Sequence, residues 1–168
     1  MSARSAGVMS PGIEVGDEAG QSPWLARGII VGIDGSESSV EALRCAVRLG
    51  ELANTTVRAI AVWQPVPFGK WGTSVYQPVK EASAILTAAV GRVLGDNVPD
   101  WFTAMPKQGA AADALIEASA TSDLLIVGTR GRGKVTGLLL GSVSSACLGR
   151  ADCPVLVATS RESHRVES

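Results

Sequence analysis

"DLLIVGTRGRGKVTGLLLGSVSS" (residues 123–145) runs from an apolar stretch through a glycine-studded basic loop and out into Gly-Ser. Its first part, "DLLIVG" (123–128), is a short apolar run ending in a turn, the pattern of a strand covered on both faces. "GSVSSACLGRA" (141–151) then reads as a helix. A strand followed by a helix is also legible near the start, without any repeat of the sequence. "RGIIVGID" (27–34) is a second buried strand, and "SESSVEALRCAVRLGELA" (36–53) switches to helical spacing. Val40, Leu43, Val47 and Gly50 fall on one side of that helix, opposite a stripe of Glu37, Glu41, Arg44, Arg48 and Glu51. Ser38 and Glu41 have capping-box spacing, while Ser36 competes as the cap.

Working outward, "TTVRAIAVW" (55–63) is β-branched and strand-like, and 64–78 is an irregular connection rich in Pro, Gly and aromatics. A helix is expected over 79–95 with Val79, Leu86, Val90 and Val93 in register. "DWFTAMPK" (100–107) is a strand, "GAAADALIEASA" (109–120) an Ala-rich helix, and "CPVLVA" (153–158) a last strand. Alternation of buried strands with amphipathic helices predicts an α/β fold: an open parallel five-stranded sheet with helices on both faces. With the first strand central and later strands added on either side, the order is 3-2-1-4-5, a Rossmann-like arrangement. The expected domain covers 27–159, between polar tails at 1–26, expected to be disordered, and at 160–168.

Composition sets bounds on function. The 168 residues are 46% hydrophobic with a net charge of −1, which gives no global pull toward nucleic acid or a membrane surface. No apolar run approaches the ~18 residues of a membrane span, and the N-terminal stretch lacks the apolar centre of a signal peptide. Cys45, Cys147 and Cys153 are odd in number and set among apolar residues, as expected of reduced thiols in a cytoplasmic protein. The single histidine, His164, lies in the C-terminal tail, so neither a zinc site nor a Ser-His-Asp triad is expected.

In open α/β sheets ligands bind beyond the carboxyl ends of the strands, where the order reverses. That point lies between strands one and four, whose exits are "GIDGS" (32–36) and "GTRGRGK" (128–134). Gly128, Gly131, Gly133 and Gly141 can take positive φ and let backbone amides approach an anion. Gly141-Ser142 opens a helix whose first amides and dipole favour negative charge, with Ser142 and Ser144 as hydroxyl donors. "GTRGRGKV" is not a Walker A loop, because Val135 stands where a magnesium-binding hydroxyl belongs. A dinucleotide G-x-G-x-x-G fails at Thr136. Each residue also has an ordinary reading: Asp34-Gly35 as a turn and helix cap, the glycines as turn residues, and Arg130, Arg132 and Lys134 as solvated charges. Trp63, Trp71 and Tyr76 either cover a ligand or pack an irregular loop.

The spacing G-x2-G-x9-G-S (Gly128, Gly131, Gly141, Ser142), with "IIVGIDGS", "DLLIVGTRGRG", "GSVS" and "CPVLVA", resembles the universal stress proteins of the ATP-binding type over residues 27–158. The resemblance implies an adenine nucleotide alpha hydrolase-like fold with ATP, alone or with Mg2+, across strands one and four. By motif position Asp34 contacts the adenosine, Gly32 lines its pocket, and Val62 meets the adenine beside Val127. Gly128, Gly131, Gly141, Ser142 and Val143 wrap ribose and phosphates, and Ser144 is a weaker candidate. The implied role is regulatory, in the stress response, with little or no hydrolysis. Cyclic AMP in the same site and a slow ATPase are the alternatives. "DGSES" replaces the Ser-Gly-Gly-x-Asp-Ser loop of pyrophosphatase relatives, which disfavours adenylate-transfer chemistry. The resemblance also implies a homodimer through 153–158, an apolar edge of the kind that tends to pair.

Overall fold

The computed structural model describes residues 25–65, 78–129, 131 and 140–160. Its elements are β1 (Ile29–Gly32), α1 (Glu37–Leu52), β2 (Val57–Trp63), α2 (Pro78–Leu94), β3 (Phe102–Gln108), α3 (Ala111–Ser119), β4 (Leu124–Gly128), α4 (Ser142–Arg150) and β5 (Val155–Ala158). The strands form one sheet in the order β3-β2-β1-β4-β5, and every pairing is parallel. This is the doubly wound architecture that the alternation predicts.

Successive side chains of a strand point to opposite faces, and this sorts the core into two layers. Ile29, Val31, Val57, Ala59, Ala61 and Ile126 pack with Val40, Leu43 and Ala46 of α1 and Ala82, Leu86 and Ala89 of α2. Ile30, Ile60, Leu125 and Val127 face the other way, toward Leu115 and Ala118 of α3 and Cys147 of α4. Burial pushes the Cys147 thiol pKa up, as for a side chain that acts as a small hydrophobe. Val79, expected on the apolar side of α2, is instead exposed at the first turn, and the buried positions are Ala82, Leu86 and Ala89. Leu86, Val90 and Val93 pack on the core as expected, and Ala82 and Ala89 join them on the buried face.

At the amino ends of the strands, Arg27 ties β1 to β4. Its backbone amide donates to Asp123 Oδ2 at 2.6 Å and its Nε to Oδ1 at 2.8 Å. Those two hydrogen bonds hold the Asp123 carboxyl below its ordinary pKa. Leu25 packs against the core, and its carbonyl accepts from Thr55 Oγ1, so the packed segment includes residues just ahead of 27.

Candidate functional site

The carboxyl ends of β1 and β4 are built very differently. Beyond β1, Ile33 N–H still donates to the Ile60 carbonyl at 2.8 Å, and the chain then turns at Gly35, where φ is +83°. Asp34 Oδ1 accepts from the Ser36 amide at 2.9 Å and from the Ser36 hydroxyl at 2.6 Å. Ser36 in turn caps α1 by accepting from the Ser39 amide at 3.2 Å. The cap is thus Ser36, and the capping-box reading of Ser38 and Glu41 does not hold. The turn reading of Asp34 is correct for one of its oxygens.

Beyond β4, the Thr129 amide donates to Ala158 of β5 at 2.8 Å, and the Thr129 carbonyl accepts from the Gly141 amide at 2.7 Å. Ser144, which is buried, donates to Thr129 O at 3.2 Å and Gly141 O at 3.0 Å. Its hydroxyl therefore pins α4 to the end of β4 rather than standing ready as a donor. Gly141 is the N-cap, with no side-chain cap, and the first helical bond runs from the Ser145 amide to the Gly141 carbonyl at 3.0 Å. Helix geometry leaves the amides of Ser142, Val143 and Ser144 without intrahelical acceptors, at the positive end of the dipole. No acidic residue stands in this first turn.

Of the two expected uses of these glycines, positive φ is not adopted at Gly128 or Gly141, while Gly128 and Gly131 stand where a Cβ would collide with neighbouring atoms. Gly141 has φ −74°, and Gly128 is absent from the positive-φ glycines. A Cβ on Gly128 would lie 2.7 Å from the Ser38 carbonyl carbon and 2.8 Å from the Ser39 nitrogen. Gly128 thus lets the first turn of α1 rest on the end of β4. A Cβ on Gly131 would lie 2.7 Å from Asp34 Oδ2, so that oxygen occupies the space a side chain would take.

Between these exits lies a crevice of ≈ 290 Å³, lined by all ten residues assigned to the site by motif position: Gly32, Asp34, Val62, Val127, Gly128, Gly131, Gly141, Ser142, Val143 and Ser144. This is close to the smallest size typical of small-molecule pockets, about 300 Å³. Its floor is apolar (Ile60, Val62, Val127), with Asp34 at the β1 exit and the α4 first turn at the β4 exit. Sequence reasoning missed Ile33, Ser39, Ile60, Ala111, Leu115 and Leu140. Leu115 was within reach, since the register of α3 turns it toward the sheet; Ser39 carried no signal. A second cavity of ≈ 480 Å³ lies beside Trp63, Gln64, Glu81 and Ile85, and shares Ile33, Asp34, Val62 and Ala111 with the first. The expectations for Arg130, Arg132, Gly133, Lys134, Trp71, Tyr76, His164 and both tails lie outside the described residues. Among the described residues no helix is long and apolar enough to cross a membrane, and no three Cys, His, Asp or Glu side chains are grouped to hold a metal ion.

An open parallel sheet with a crevice at its strand-order reversal defines a Rossmann-like α/β protein. Residues 26–159 match the universal stress protein family, and the chain belongs to that family. It is 36% identical over 140 residues to universal stress protein Rv2005c of Mycobacterium tuberculosis, covering 77% of this chain and 44% of that protein. Universal stress protein MJ0531 of Methanocaldococcus jannaschii is 29% identical over 141 residues, covering 79% and 82%. The chain spans less than half the length of its mycobacterial relatives. Among solved structures, a universal stress protein in complex with cAMP aligns with a TM-score of 0.62 at 27% identity, over 81% of this chain and 98% of that one. The Archaeoglobus fulgidus protein in complex with dAMP (TM-score 0.55, 18% identity, 78% and 96% covered) shares the fold. So does an Arabidopsis thaliana family member with AMP bound (0.52, 19%, 82% and 94%).

Proposed function

We propose that this crevice binds an adenine nucleotide, ATP first among them, in a regulatory role without rapid turnover. The observation that carries the reading is the crevice itself, which joins an apolar floor, a single carboxylate and an uncapped helix start within one opening. Each part suits one part of the ligand. An adenine ring lies against Val62 and Val127. Asp34 accepts from a nucleoside hydroxyl or amine and repels phosphate, which places the charged tail at Ser142 and Val143. A magnesium ion would travel with the triphosphate, its remaining ligands supplied by water. Turnover is expected to be slow, because Asp34, the only carboxylate among the described lining residues, is assigned to the nucleoside rather than to the phosphates, and no histidine stands among those residues.

Cyclic AMP is the second reading, favoured by the cAMP-bound relative at 27% identity. Competition among ATP, ADP, AMP and cyclic AMP for the purified chain ranks the two. If ATP is the ligand, a concentration of about 100 times Kd stabilises the fold by ~2.7 kcal/mol; an unchanged Tm at saturating ATP would count against the proposal. Turnover far above ~1 per minute would support an enzyme instead. We further propose a cytoplasmic homodimer that pairs through β5, whose residues are all partly exposed at the sheet edge. Val155→Lys or Val157→Lys should give monomers in sedimentation; a persistent dimer would place the interface elsewhere.

A further inference from the structure

We infer that Ser36 is a positioning residue for the ligand: by engaging one oxygen of Asp34 it aims the other across the crevice. The inference rests on the nucleotide reading above and adds to it a residue that does not line the crevice.

The geometry divides the carboxylate into two halves. Oδ1 accepts two hydrogen bonds from Ser36, at 2.9 Å from its amide and 2.6 Å from its hydroxyl. The short hydroxyl contact is of the charge-assisted kind, which is roughly twice as strong as a neutral hydrogen bond. Ser36 is itself held, because its Oγ accepts from the Ser39 amide at 3.2 Å while its carbonyl accepts from the Ser39 hydroxyl at 2.8 Å. Ser39 Oγ also meets the Asp34 amide at 3.4 Å, which closes the loop of contacts. The first turn of α1 therefore fixes the Asp34 side chain through its cap.

Oδ2 is the other half. It faces the position where a Gly131 side chain would stand, 2.7 Å from that Cβ site, and no bond from within the β1 turn takes it up. A carboxylate with one oxygen engaged and the other directed is a pre-oriented single acceptor, so binding costs little further side-chain ordering. Such an acceptor selects a ligand by one donor group of its nucleoside part, either a ribose hydroxyl or the exocyclic amine. An unclamped Asp34 would rotate between rotamers, and that selectivity would fall while the apolar floor and the α4 first turn went on binding the remainder.

The test compares three ligands on four proteins. ATP, its 2′,3′-dideoxy analogue (no ribose donors) and inosine triphosphate (no exocyclic amine) are titrated against wild type, Ser36→Ala, Ser36→Gly and Ser36→Thr. Glycine is tolerated at an N-cap within a few tenths of a kcal/mol, so Ser36→Gly removes the hydroxyl with little loss of helix stability. Threonine keeps both. The expected result is an ATP affinity weakened on the order of tenfold in the Ala and Gly variants and restored in Thr. The loss should vanish for whichever analogue lacks the donor that Oδ2 accepts. Equal weakening for all three ligands, or none in a folded variant, would overturn the role of Ser36 while leaving nucleotide binding intact. Absence of binding to wild type by all three triphosphates would overturn both readings.

Discussion

On one face of the sheet, α1 and α2 run for 16 and 17 residues over a large core that includes Val40, Leu43, Ala46 and Leu86. On the other, α3 and α4 have nine residues each, and their buried core is much smaller. Here the first two turns of α3 (Ala111, Leu115) and the first turn of α4 (Ser142, Val143) flank an open crevice above Ile60 and Val127. Both faces come from the same strands by simple alternation, so the difference lies in the helices laid on them. The long helices cover most of their face and leave a second cavity only beside the end of β2 and the start of α2, whereas the two short ones leave the crevice above β1 and β4. Most of the buried core thus lies on the first side, and most of the apolar crevice lining on the second.

Substitutions that treat the two faces alike should break this division if it is wrong. Leu43→Ala, in the α1/α2 layer with no exposure, is expected to cost about 4 kcal/mol in urea denaturation. The nucleotide affinity of the remaining folded protein should be unchanged. Gly128→Ala acts on both sides, because its new Cβ meets the α1 backbone at 2.7 and 2.8 Å. A loss of about 2–3 kcal/mol together with weakened binding is expected. Leu115→Ala, on the crevice face, should cost only ~2 kcal/mol, since the space it leaves joins a cavity already present. Its signature is altered nucleotide affinity in a folded protein. If Leu115→Ala matched Leu43→Ala in stability and left binding untouched, the contrast between the faces would fail.

The smallest expected effect lies at the far end of the strands. Asp123 has its pKa lowered by the Arg27 hydrogen bonds, so its contribution is present above the ordinary carboxylate pKa of ~3.9 and is lost as pH falls below it. Asp123→Asn should therefore be less stable than wild type at pH 7, and the gap should close toward pH 3. A gap that widened on acidification would contradict the assignment. Nucleotide binding, at the opposite end of the sheet, should not change at pH 7.

Sequence alone revealed most of the sheet, because β1 and β4 are short apolar runs of the kind a doubly covered strand requires, and β2 is rich in β-branched residues. β3 gave a weaker signal for a physical reason. It lies at the sheet edge, Thr103, Ala104, Met105 and Pro106 are exposed, and no apolar run survives. The crevice was legible wherever a residue type has few uses, as with Asp34 after β1 and Gly-Ser at the start of α4. The purpose of Gly128 was not legible, since a glycine that permits packing and one that permits positive φ look the same in a sequence. Nor was the engagement of Ser144, which depends on carbonyls brought to it by β4. Leu115 and Ser39 reach the crevice from other elements, and only the assembled fold places them there.

The most direct measurement is an equilibrium titration of the full chain with ATP, run in parallel on wild type and Gly131→Ala. In the variant a new methyl group would crowd Asp34 Oδ2, the movable end of a side chain, so the fold should hold while the crevice narrows. The account predicts saturable binding of one nucleotide per wild-type chain, with affinity lowered at least tenfold in the variant at an unchanged ligand-free Tm. Equal affinity in the two proteins, or no saturable binding to wild type at millimolar ATP, would contradict it.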